Sequence, residues 1–257
     1  MARKNKLDKK LTANRFVFIM PAYNAIQTIS RSILSVWFQT HPNWKIVIRD
    51  DMSTDGTFEA VENLKKQLGI SDEKISIKKN TEKKWEVANI LDMLGECDSD
   101  DIICRLDADD WLCDCDVITI LNHRYNVLEV DAIWTNHRWD FNHTNISAPL
   151  PKDADPYKHP WVSSHLKTFR KKLIENVDDA NFRGVDGEYF KRIGDQAIYL
   201  PVLKNAAGNW HHEPICAYHY TIDMRPETFQ TDDAKFQREE GLKKTIEYFD
   251  KLLEEER

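Results

Sequence analysis

The feature that most constrains the fold is an alternation, over residues 16–107, of short strand-like segments with amphipathic helical segments. The strand-like segments are FVFIM, WKIVIRD, KISIKK and IICRLD, and residues with helical spacing separate them over 26–39, 58–68 and 85–95. Nearly continuous apolar strands that are joined through helices are typical of a buried parallel sheet. The sequence therefore predicts an α/β fold with a mainly parallel sheet and helices on both faces.

The helix predicted over residues 58–68 carries signals at both of its ends. Gly69 stands where a left-handed glycine often ends a helix. Ser53 or Asp55 would supply the side chain that caps the first turn. Beyond residue 110 we expect a looser half: a helix near 114–127, a strand over 131–135, a long polar stretch over 140–161, helical or mixed structure over 164–176 and 186–205, and a charged helix over 232–256.

Composition excludes several classes of protein. A chain of 257 residues is long enough to bury a core without disulfide bonds, and 41% hydrophobic residues exclude a wholly disordered chain. A net charge of −7 disfavours a protein that coats DNA, and no apolar run reaches the roughly 18–20 residues that cross a bilayer. The five cysteines are odd in number and form no C-x-x-C pair, so we expect free thiols.

Polar and acidic residues follow three of the predicted strands at the point where each strand ends. In an open parallel sheet, ligands bind beyond the carboxyl ends of the strands, so we expect these residues to converge on one crevice. Strand-end carboxylates also occur as plain solvated side chains, but three such groups together favour a ligand site. The groups are Pro21 to Asn24 after the first strand, Asp50 to Gly56 after the second, and Asp107 to Asp110 after the fourth.

The third group contains two carboxylates in the spacing D-x-D, at Asp107 and Asp109. Two carboxylates after a buried strand are able to hold one hard divalent cation, which prefers oxygen ligands and leaves positions open for phosphate oxygens. The chain has neither a G-x-G-x-x-G segment nor a Walker lysine loop. A diphosphate at this site would therefore be neutralised by a metal ion and not by a glycine-rich backbone.

The segment from Asp51 to Glu62 also fits the template of a calcium-binding loop, with Ser53, Asp55 and Gly56 at the matching positions. Such a loop follows a helix, whereas WKIVIRD has the pattern of a strand. A non-catalytic nucleotide- or calcium-binding module is therefore the alternative to an enzyme.

Together, FVFIMPAYNA, IVIRDDMSTDGT and RLDADDW resemble successive motifs of the family 2 glycosyltransferases, which have the GT-A fold. The resemblance is strong over residues 16–112 and weak elsewhere. It implies a nucleotide-diphospho-sugar transferase fold and transfer of a sugar, with inversion at the anomeric carbon, to an acceptor hydroxyl. It also implies a donor that is usually UDP-linked and a divalent cofactor, Mn²⁺ or Mg²⁺.

By position, the resemblance implies that Pro21 and Tyr23 flank the nucleotide base and that Asp51 accepts a hydrogen bond from uracil N3–H. It implies further that Asp107 and Asp109 contact the ribose and the metal ion. The full set of implied nucleotide-sugar-binding residues is Pro21, Tyr23, Asn24, Asp50, Asp51, Lys84, Asp107 and Ala108.

Two positions depart from the motifs of the family. Met52 replaces a glycine of the second motif, and the stretch from Asn80 to Trp85 lacks the glycine that often follows the asparagine. Neither change touches a carboxylate, but both alter the residues expected beside the diphosphate. We expect Lys83 or Lys84 to supply a cationic contact there.

The family also places a catalytic carboxylate well after the D-x-D pair, ahead of a helix. Asp195 in IGDQA is the best match and the candidate general base, with Asp186 in GVDGEY in reserve. The alternative for Asp195 is an ordinary helix N-cap. A lone histidine is more often a satisfied polar residue. Of His211, His212 and His219, we expect the last as a further metal ligand.

The identity of the acceptor is left open by the sequence. Residues 65–84 hold seven lysines against three acids, and SSHLKTFRKKL contains a second basic cluster. Solvated faces explain most such clusters, but with Trp85 and Trp161 they would also suit a polar or anionic acceptor. We expect a glycan or lipopolysaccharide, with hydroxymethylated DNA bases, as in phages, as the alternative. Transfer of a nucleotide to a sugar phosphate is disfavoured because the chain lacks a glycine-rich N-terminal loop.

We divide the chain into four parts within one continuous GT-A domain. These are a flexible lead over 1–14, a nucleotide-sugar-binding half over 15–112, an acceptor-binding and catalytic half over 113–230, and a C-terminal charged helix over 231–257. We expect a cytoplasmic protein, of a bacterium or a virus-infected host cell, without a transmembrane anchor. The sequence does not indicate its oligomeric state.

Overall fold

The computed structural model describes residues 11–139 and 145–221, and its centre is one sheet in the order β3-β2-β1-β4-β7-β6-β8-β5. The strands are β1 (Phe16–Ala22), β2 (Trp44–Asp50), β3 (Ile75–Lys79), β4 (Ile102–Arg105), β5 (Trp111–Leu112), β6 (Ala132–Trp139), β7 (Lys167–Arg170) and β8 (Trp210–Tyr220). The helices are α1 (Ile29–Trp37), α2 (Thr57–Leu68), α3 (Trp85–Leu94), α4 (Val117–Leu128) and α5 (Gly194–Ala206). The predicted helix over 231–257 lies outside the described residues, as do residues 1–10 of the predicted lead.

The first four strands are parallel, as the alternation predicts. β1 lies between β2 and β4, with Phe16 opposite Trp44 on one side and Ile102 on the other, and β2 pairs with β3. Residues 16–20 are buried on both faces of the sheet. The carboxyl ends of these strands therefore lie along one edge, where the sequence places the polar groups.

The second half of the sheet is mixed. β7 is antiparallel to both β4 and β6, and β8 runs parallel to β6 and antiparallel to β5. The segment over 164–176, predicted as helical or mixed, forms β7 followed by a short 3₁₀ helix over Lys171–Leu173. β8 has no counterpart among the predicted elements. Its pairing with β6 shifts register on both sides of Asn136, and Pro214 lies within it, so its residues do not alternate cleanly between the two faces.

Two apolar layers cover the two faces of the sheet. Phe16, Phe18 and Met20 of β1 pack into the layer that contains residues of α1, α2 and α4, whereas Val17 and Ile19 pack into the layer of α3 and α5. The expectation of helices on both faces is therefore confirmed. Within residues 11–139 and 145–221, no helix combines the length and the apolar composition that crossing a membrane requires.

The ends of α2 agree only partly with the sequence signals. Gly69 ends the helix in the left-handed conformation (φ 64°), as predicted. The N-cap is Gly56, also left-handed (φ 94°), and not Ser53 or Asp55. The Asp55 carboxylate instead accepts hydrogen bonds from the backbone N–H groups of Ile26 and Thr57, so it holds the start of α2 against the loop after β1.

Gly69 and Gly208 both have a left-handed backbone conformation, and comparing them tests how much a collision with a neighbouring backbone atom adds to backbone strain. Gly208 (φ 84°) follows α5, and a Cβ atom there would lie 2.3 Å from the backbone oxygen of Lys152, whereas a Cβ atom at Gly69 would meet nothing. We expect Gly69→Ala to lower the free energy of unfolding by about 1–2 kcal/mol through backbone strain alone. Gly208→Ala adds a collision with a backbone atom and should lower it by about 3 kcal/mol or more. Urea denaturation of both variants measures the difference, and equal losses would contradict the collision.

Candidate active site

The loops that follow β1 and β2 are joined by hydrogen bonds. The backbone N–H of Asn24 donates to the Ser53 hydroxyl (2.9 Å), and the Thr54 N–H donates to the side-chain oxygen of Asn24 (3.0 Å). Asn24 has a left-handed backbone (φ 48°), a conformation that asparagine tolerates better than most residues. The structure thus brings together the first two groups of residues that the sequence singles out.

Asp51 is buried at the end of β2, and its carboxylate accepts three hydrogen bonds. The donors are the Asn80 side-chain amide (2.8 Å) and the backbone N–H groups of Lys84 (2.8 Å) and Trp85 (2.9 Å). Burial raises the pKa of Asp51, but these hydrogen bonds outweigh burial and hold the pKa below its ordinary value. The ionised carboxylate therefore fixes the start of α3 against the end of β2. Its contact with a uracil base stays a prediction.

Lys83 brings its ammonium group to this crevice, and a role of Lys84 toward a donor stays a prediction. The Lys83 Nζ atom lies 2.9 Å from the centroid of the Tyr23 ring and 3.5 Å from the Asp51 carboxylate. The Tyr23 side chain is 54% exposed, so its ring is accessible to a ligand. Lys84 is exposed and contributes its backbone N–H. Pro21 lies two residues before Tyr23, within β1.

Two further predicted donor-site residues, Asp50 and Ala108, form hydrogen bonds with other residues of the protein. Asp50 is buried; one of its oxygens accepts from the Ser53 N–H (2.7 Å), and the other has no hydrogen-bond partner in the described part of the chain. The Ala108 carbonyl accepts from the Ser32 hydroxyl of α1 (2.9 Å). These contacts fix the loops, and the roles of both residues toward a donor stay predictions.

Arg105 is buried at the end of β4 and joins three parts of the site. Its Nη2 atom donates to Asp107 Oδ1 (2.5 Å) and to Glu86 Oε1 of α3 (2.7 Å). The other oxygen of Glu86 accepts from the backbone N–H of Gly194, at the start of α5 (3.1 Å). Burial lowers the pKa of Arg105, but the carboxylates of Asp107, Glu86 and Asp195 outweigh burial and raise it. Arg105 is therefore a permanent positive charge among three acidic side chains.

The D-x-D loop is held mainly through its backbone and through Asp110. The Asp109 carbonyl accepts from Arg31 Nη2 (3.2 Å) and from the Thr221 hydroxyl (2.6 Å). Asp110 is buried and accepts from the Tyr218 hydroxyl and from the Thr221 N–H, both at 2.7 Å. Burial, followed by the neighbouring carboxylates of Asp109 and Asp107, raises the pKa of Asp110 well above its ordinary value. This crowding of carboxylates is an arrangement that a divalent cation would relieve.

Asp195 lies in the first turn of α5, opposite two side chains from the segment before and within β7. Lys167 Nζ is 3.0 Å from Asp195 Oδ1, and His165 Nε2 is 3.4 Å from Oδ2. Burial raises the pKa of Asp195, but the positive charges of Lys167 and Arg105 outweigh burial and hold it well below its ordinary value. The helix N-cap is Ile193, so the alternative that Asp195 is a simple N-cap is wrong.

The two remaining candidates lie in different surroundings. Asp186 is exposed in a turn, and its carboxylate accepts from the backbone N–H of Glu188 (3.1 Å). His219 stacks on Trp111 with ring centroids 3.6 Å apart, and its Nδ1 atom accepts from Arg138 Nε (3.0 Å). That hydrogen bond leaves the proton of a neutral His219 on Nε2, which does not favour metal ligation there. The metal role of His219 stays a prediction.

The acidic groups that suggested calcium binding face their own backbone. Asp51 accepts from the backbone at the start of α3, and Asp55 accepts from the backbone of Ile26 and Thr57. The segment before this loop is the strand β2, whereas a calcium-binding loop of this template follows a helix. Across the part of the chain that the structure describes, three close potential metal ligands occur together in one place, the exposed group of Asp114, Cys115 and Asp116.

Several members of the two basic clusters are paired with acidic residues. Lys167 is buried against Asp195, while the other members of its cluster pair with acidic residues: Arg170 and Lys172 with Asp131, and Lys171 with Glu175. In the first cluster, Lys65 pairs with Glu62 and Asp72, and Lys78 pairs with Glu96. The observation that favoured an anionic acceptor is therefore weakened.

Comparison with known proteins defines the class. Residues 17–178, well over half of the chain, match the family described as Glycosyl transferase family 2, and the protein belongs to that family. An *Escherichia coli* relative, the UDP-Glc:alpha-D-GlcNAc-diphosphoundecaprenol beta-1,3-glucosyltransferase WfgD, is 39% identical over 95 residues. That match covers 37% of this chain and 35% of the relative, so the chain matches about a third of that protein's length.

Solved structures agree on the fold. TarS 1-349 of *S. aureus*, in complex with UDP-GlcNAc, superposes with a TM-score of 0.63 at 16% identity, over 87% of this chain and 64% of that one. The mannosyltransferase PcManGT of *Pyrobaculum calidifontis*, in complex with GDP-Man and Mn²⁺, superposes with a TM-score of 0.57 at 17% identity, over 93% and 64%. The predicted GT-A fold is therefore confirmed.

Four residues of the site were not assigned to it from the sequence. Glu86, His165 and Tyr218 carry no motif, and Lys167 was noticed only as part of a basic cluster. The one available signal was Gly194, because a missing side chain before a candidate base indicates that another group occupies the space. A Cβ atom at Gly194 would lie 2.6 Å from Glu86.

Asp51→Asn tests whether the carboxylate fixes α3. An asparagine offers one acceptor oxygen, so a backbone N–H of Lys84 or Trp85 would face an amide group that also donates. We expect the free energy of unfolding to fall by about 1–3 kcal/mol, measured by urea denaturation. Asp153→Asn, at an exposed aspartate, is the matched control and should change it by no more than about 0.5 kcal/mol. Equal effects of the two substitutions would show that Asp51 has no such role.

Proposed function

We propose that the protein is an inverting, divalent-metal-dependent glycosyltransferase that transfers a sugar from a UDP-sugar to a hydroxyl group of a glycan. The observation that carries the proposal is the chain of contacts through Arg105. Its guanidinium binds both Asp107 of the D-x-D pair and Glu86, and Glu86 accepts from the backbone N–H of Gly194, the residue before Asp195. The candidate metal ligands and the candidate base therefore flank one crevice, as transfer between a bound donor and an acceptor requires.

The donor half of the crevice supports a nucleotide-sugar. The accessible ring of Tyr23 offers a stacking surface for a base, and the Lys83 ammonium group beside it offers a charge for the diphosphate. TarS was solved with UDP-GlcNAc, and WfgD is named for a UDP-Glc donor. These names favour a UDP-sugar over a GDP-sugar, although PcManGT was solved with GDP-Man.

The acidic loop fits a divalent cation. Asp107 and Asp109 offer carboxylate oxygens, the ligands that Mn²⁺ and Mg²⁺ prefer. Burial, and after it the charges of Asp109 and Asp107, raises the pKa of Asp110, and a cation would offset those charges. A cation bound there would neutralise charge on the diphosphate leaving group. PcManGT was solved with Mn²⁺, which supports this assignment.

Asp195 would accept the proton of the acceptor hydroxyl. Lys167 and Arg105 keep its carboxylate ionised, so it is ready to accept a proton at neutral pH. The same charges make it a weak base, and the proton would therefore move as the new bond to the anomeric carbon forms and the hydroxyl becomes acidic. Lys167 would also hold the carboxylate in position through its contact with Oδ1.

A glycan acceptor is favoured over hydroxymethylated DNA because Lys65, Lys167 and Lys172 are paired with acids, which leaves less positive charge for a phosphate backbone. We place the activity in the cytoplasm, since the five cysteines are free thiols, which fits a reducing compartment. Cys113 and Cys216 illustrate this, because their sulfur atoms are 3.9 Å apart and unbonded.

A donor screen tests the function. The protein is incubated with UDP-, GDP- and dTDP-sugars and Mn²⁺, and nucleotide release is recorded; we expect turnover with a UDP-sugar and its loss with EDTA. Asp109→Asn should lower turnover by about 10²-fold or more without unfolding the protein, because its backbone carbonyl keeps the bonds to Arg31 and Thr221. Asp153→Asn, at an exposed aspartate outside both acidic groups, is the matched control. A chelator-resistant rate, or equal effects of the two substitutions, would refute the metal assignment.

Asp195→Asn and Asp186→Asn, assayed side by side, identify the base. We expect Asp195→Asn to lower turnover by about 10²-fold or more while UDP affinity is kept. Lys167 would lose its charged partner, so unfolding should also become easier by about 1–3 kcal/mol, and rates are measured well below the melting temperature. If turnover instead falls only in Asp186→Asn, the reserve candidate is the base.

A further inference from the structure

Two aromatic side chains form an open surface at the ends of β6 and β8, and the donor site does not use them. Trp139 and Tyr220 are the last residues of these parallel strands and lie opposite each other in the register. Their ring centroids are 5.8 Å apart, with an angle of 34° between the ring planes. Trp139 is 36% exposed and Tyr220 is half-buried. A ligand is therefore able to reach these rings.

This aromatic surface is one ring away from the candidate base. The centroid of the Tyr220 ring lies 5.2 Å from that of His165, and His165 Nε2 lies 3.4 Å from the Asp195 carboxylate. His165 is itself stacked on Tyr218 at 4.7 Å, and Tyr218 donates to Asp110 of the D-x-D loop. A small molecule on Trp139 and Tyr220 would thus lie on the Asp195 side of the crevice, beside the donor.

His137 supplies a polar group between these rings. Its ring lies 5.9 Å from that of His165 and 6.2 Å from that of Tyr220, and its Nε2 atom accepts a hydrogen bond from the indole N–H of Trp139 (2.8 Å). Burial, together with the charge of Lys167, lowers the pKa of His137 to about 4, so the ring is neutral and carries its proton on Nδ1. That Nδ1 atom is buried without a hydrogen-bond partner in the described part of the chain.

A buried N–H without an acceptor is costly. The Nδ1 atom is enclosed, so an oxygen atom of a ligand would satisfy it by displacing one of the side chains that cover it. A pyranose ring has a face of C–H groups that packs on an aromatic ring and a rim of hydroxyl groups that exchange hydrogen bonds. We infer that Trp139, Tyr220 and His137 form an acceptor subsite, which binds a neutral sugar ring and directs one of its hydroxyl groups toward Asp195. The inference rests on the proposed function, because it takes Asp195 as the base.

The charge around the acceptor subsite favours a neutral sugar over a nucleic acid. The three side chains that form it, Trp139, Tyr220 and His137, include no lysine or arginine. The nearby ammonium group of Lys167 is paired with Asp195. A phosphodiester backbone needs cations that are free to neutralise it, and a neutral saccharide does not.

Saturation-transfer NMR on the full chain tests the acceptor subsite without relying on turnover. The probes are the methyl glycosides of glucose, galactose, mannose and N-acetylglucosamine, titrated with and without UDP and Mn²⁺. We expect saturation to reach the ring C–H protons of at least one glycoside. Trp139→Ala and Tyr220→Leu should each raise its Kd by about tenfold, and His137→Phe, which keeps a ring and removes the N–H, by about fivefold.

Phe38→Ala is the matched control, because Phe38 is an aromatic side chain with 66% exposure at the end of α1. It should leave the Kd of the glycoside unchanged. UDP affinity, measured by calorimetry, should be the same in all four variants. The two measurements separate the two proposals. If the unaltered protein does not bind UDP, the proposed function is contradicted, whereas the glycoside titration tests the acceptor subsite alone.

Three results would overturn the inference. The first is that no glycoside receives saturation from the unaltered protein. The second is that Trp139→Ala and Tyr220→Leu bind the glycoside as tightly as Phe38→Ala does. The third is that the protein binds single-stranded oligothymidylate but none of the glycosides, and that Trp139→Ala abolishes this binding. Such a result would indicate a nucleic-acid acceptor.

Discussion

The buried guanidinium of Arg105 is the interaction on which the rest of the site depends. It binds both Asp107, in the loop after β4, and Glu86 of α3, and Glu86 in turn accepts from the backbone N–H of Gly194, the first residue of α5. A charge buried at this point is tolerated only because several carboxylates surround it. Both halves of the fold are therefore tied to one cation.

Three carboxylates of the crevice are stabilised by different groups. Asp51 is stabilised by backbone N–H groups, Asp195 by Lys167, and Asp110 by the Tyr218 hydroxyl and the Thr221 N–H. Their pKa values separate. Hydrogen bonds outweigh burial at Asp51 and positive charges outweigh it at Asp195, so both pKa values are lowered, whereas burial and the carboxylates of Asp109 and Asp107 raise that of Asp110. Such separation is typical of sites where groups of the same type have different tasks.

The sequence correctly predicts that the polar residues after β1, β2 and β4 lie at one edge of the sheet, because that placement depends on local order, while their roles toward a donor stay predictions. Tyr23, Asp51 and Asp107 follow adjacent parallel strands, and the carboxyl ends of such strands meet at one edge whatever the details of packing. Lys167 and Tyr218 come from β7 and β8, where a bulge and antiparallel pairing hide the periodic pattern. A strand of that kind is recognised only from its neighbours in three dimensions, so its side chains could not be assigned to the site from the sequence.

The absence of a side chain at Gly194 links two positions that are far apart in the chain. The space beside its Cα atom is filled by the Glu86 carboxylate, which accepts the N–H of the same glycine. A side chain at position 194 would displace that carboxylate from its place beside Arg105. The effects of substitutions at positions 86 and 194 should therefore depend on each other and not add.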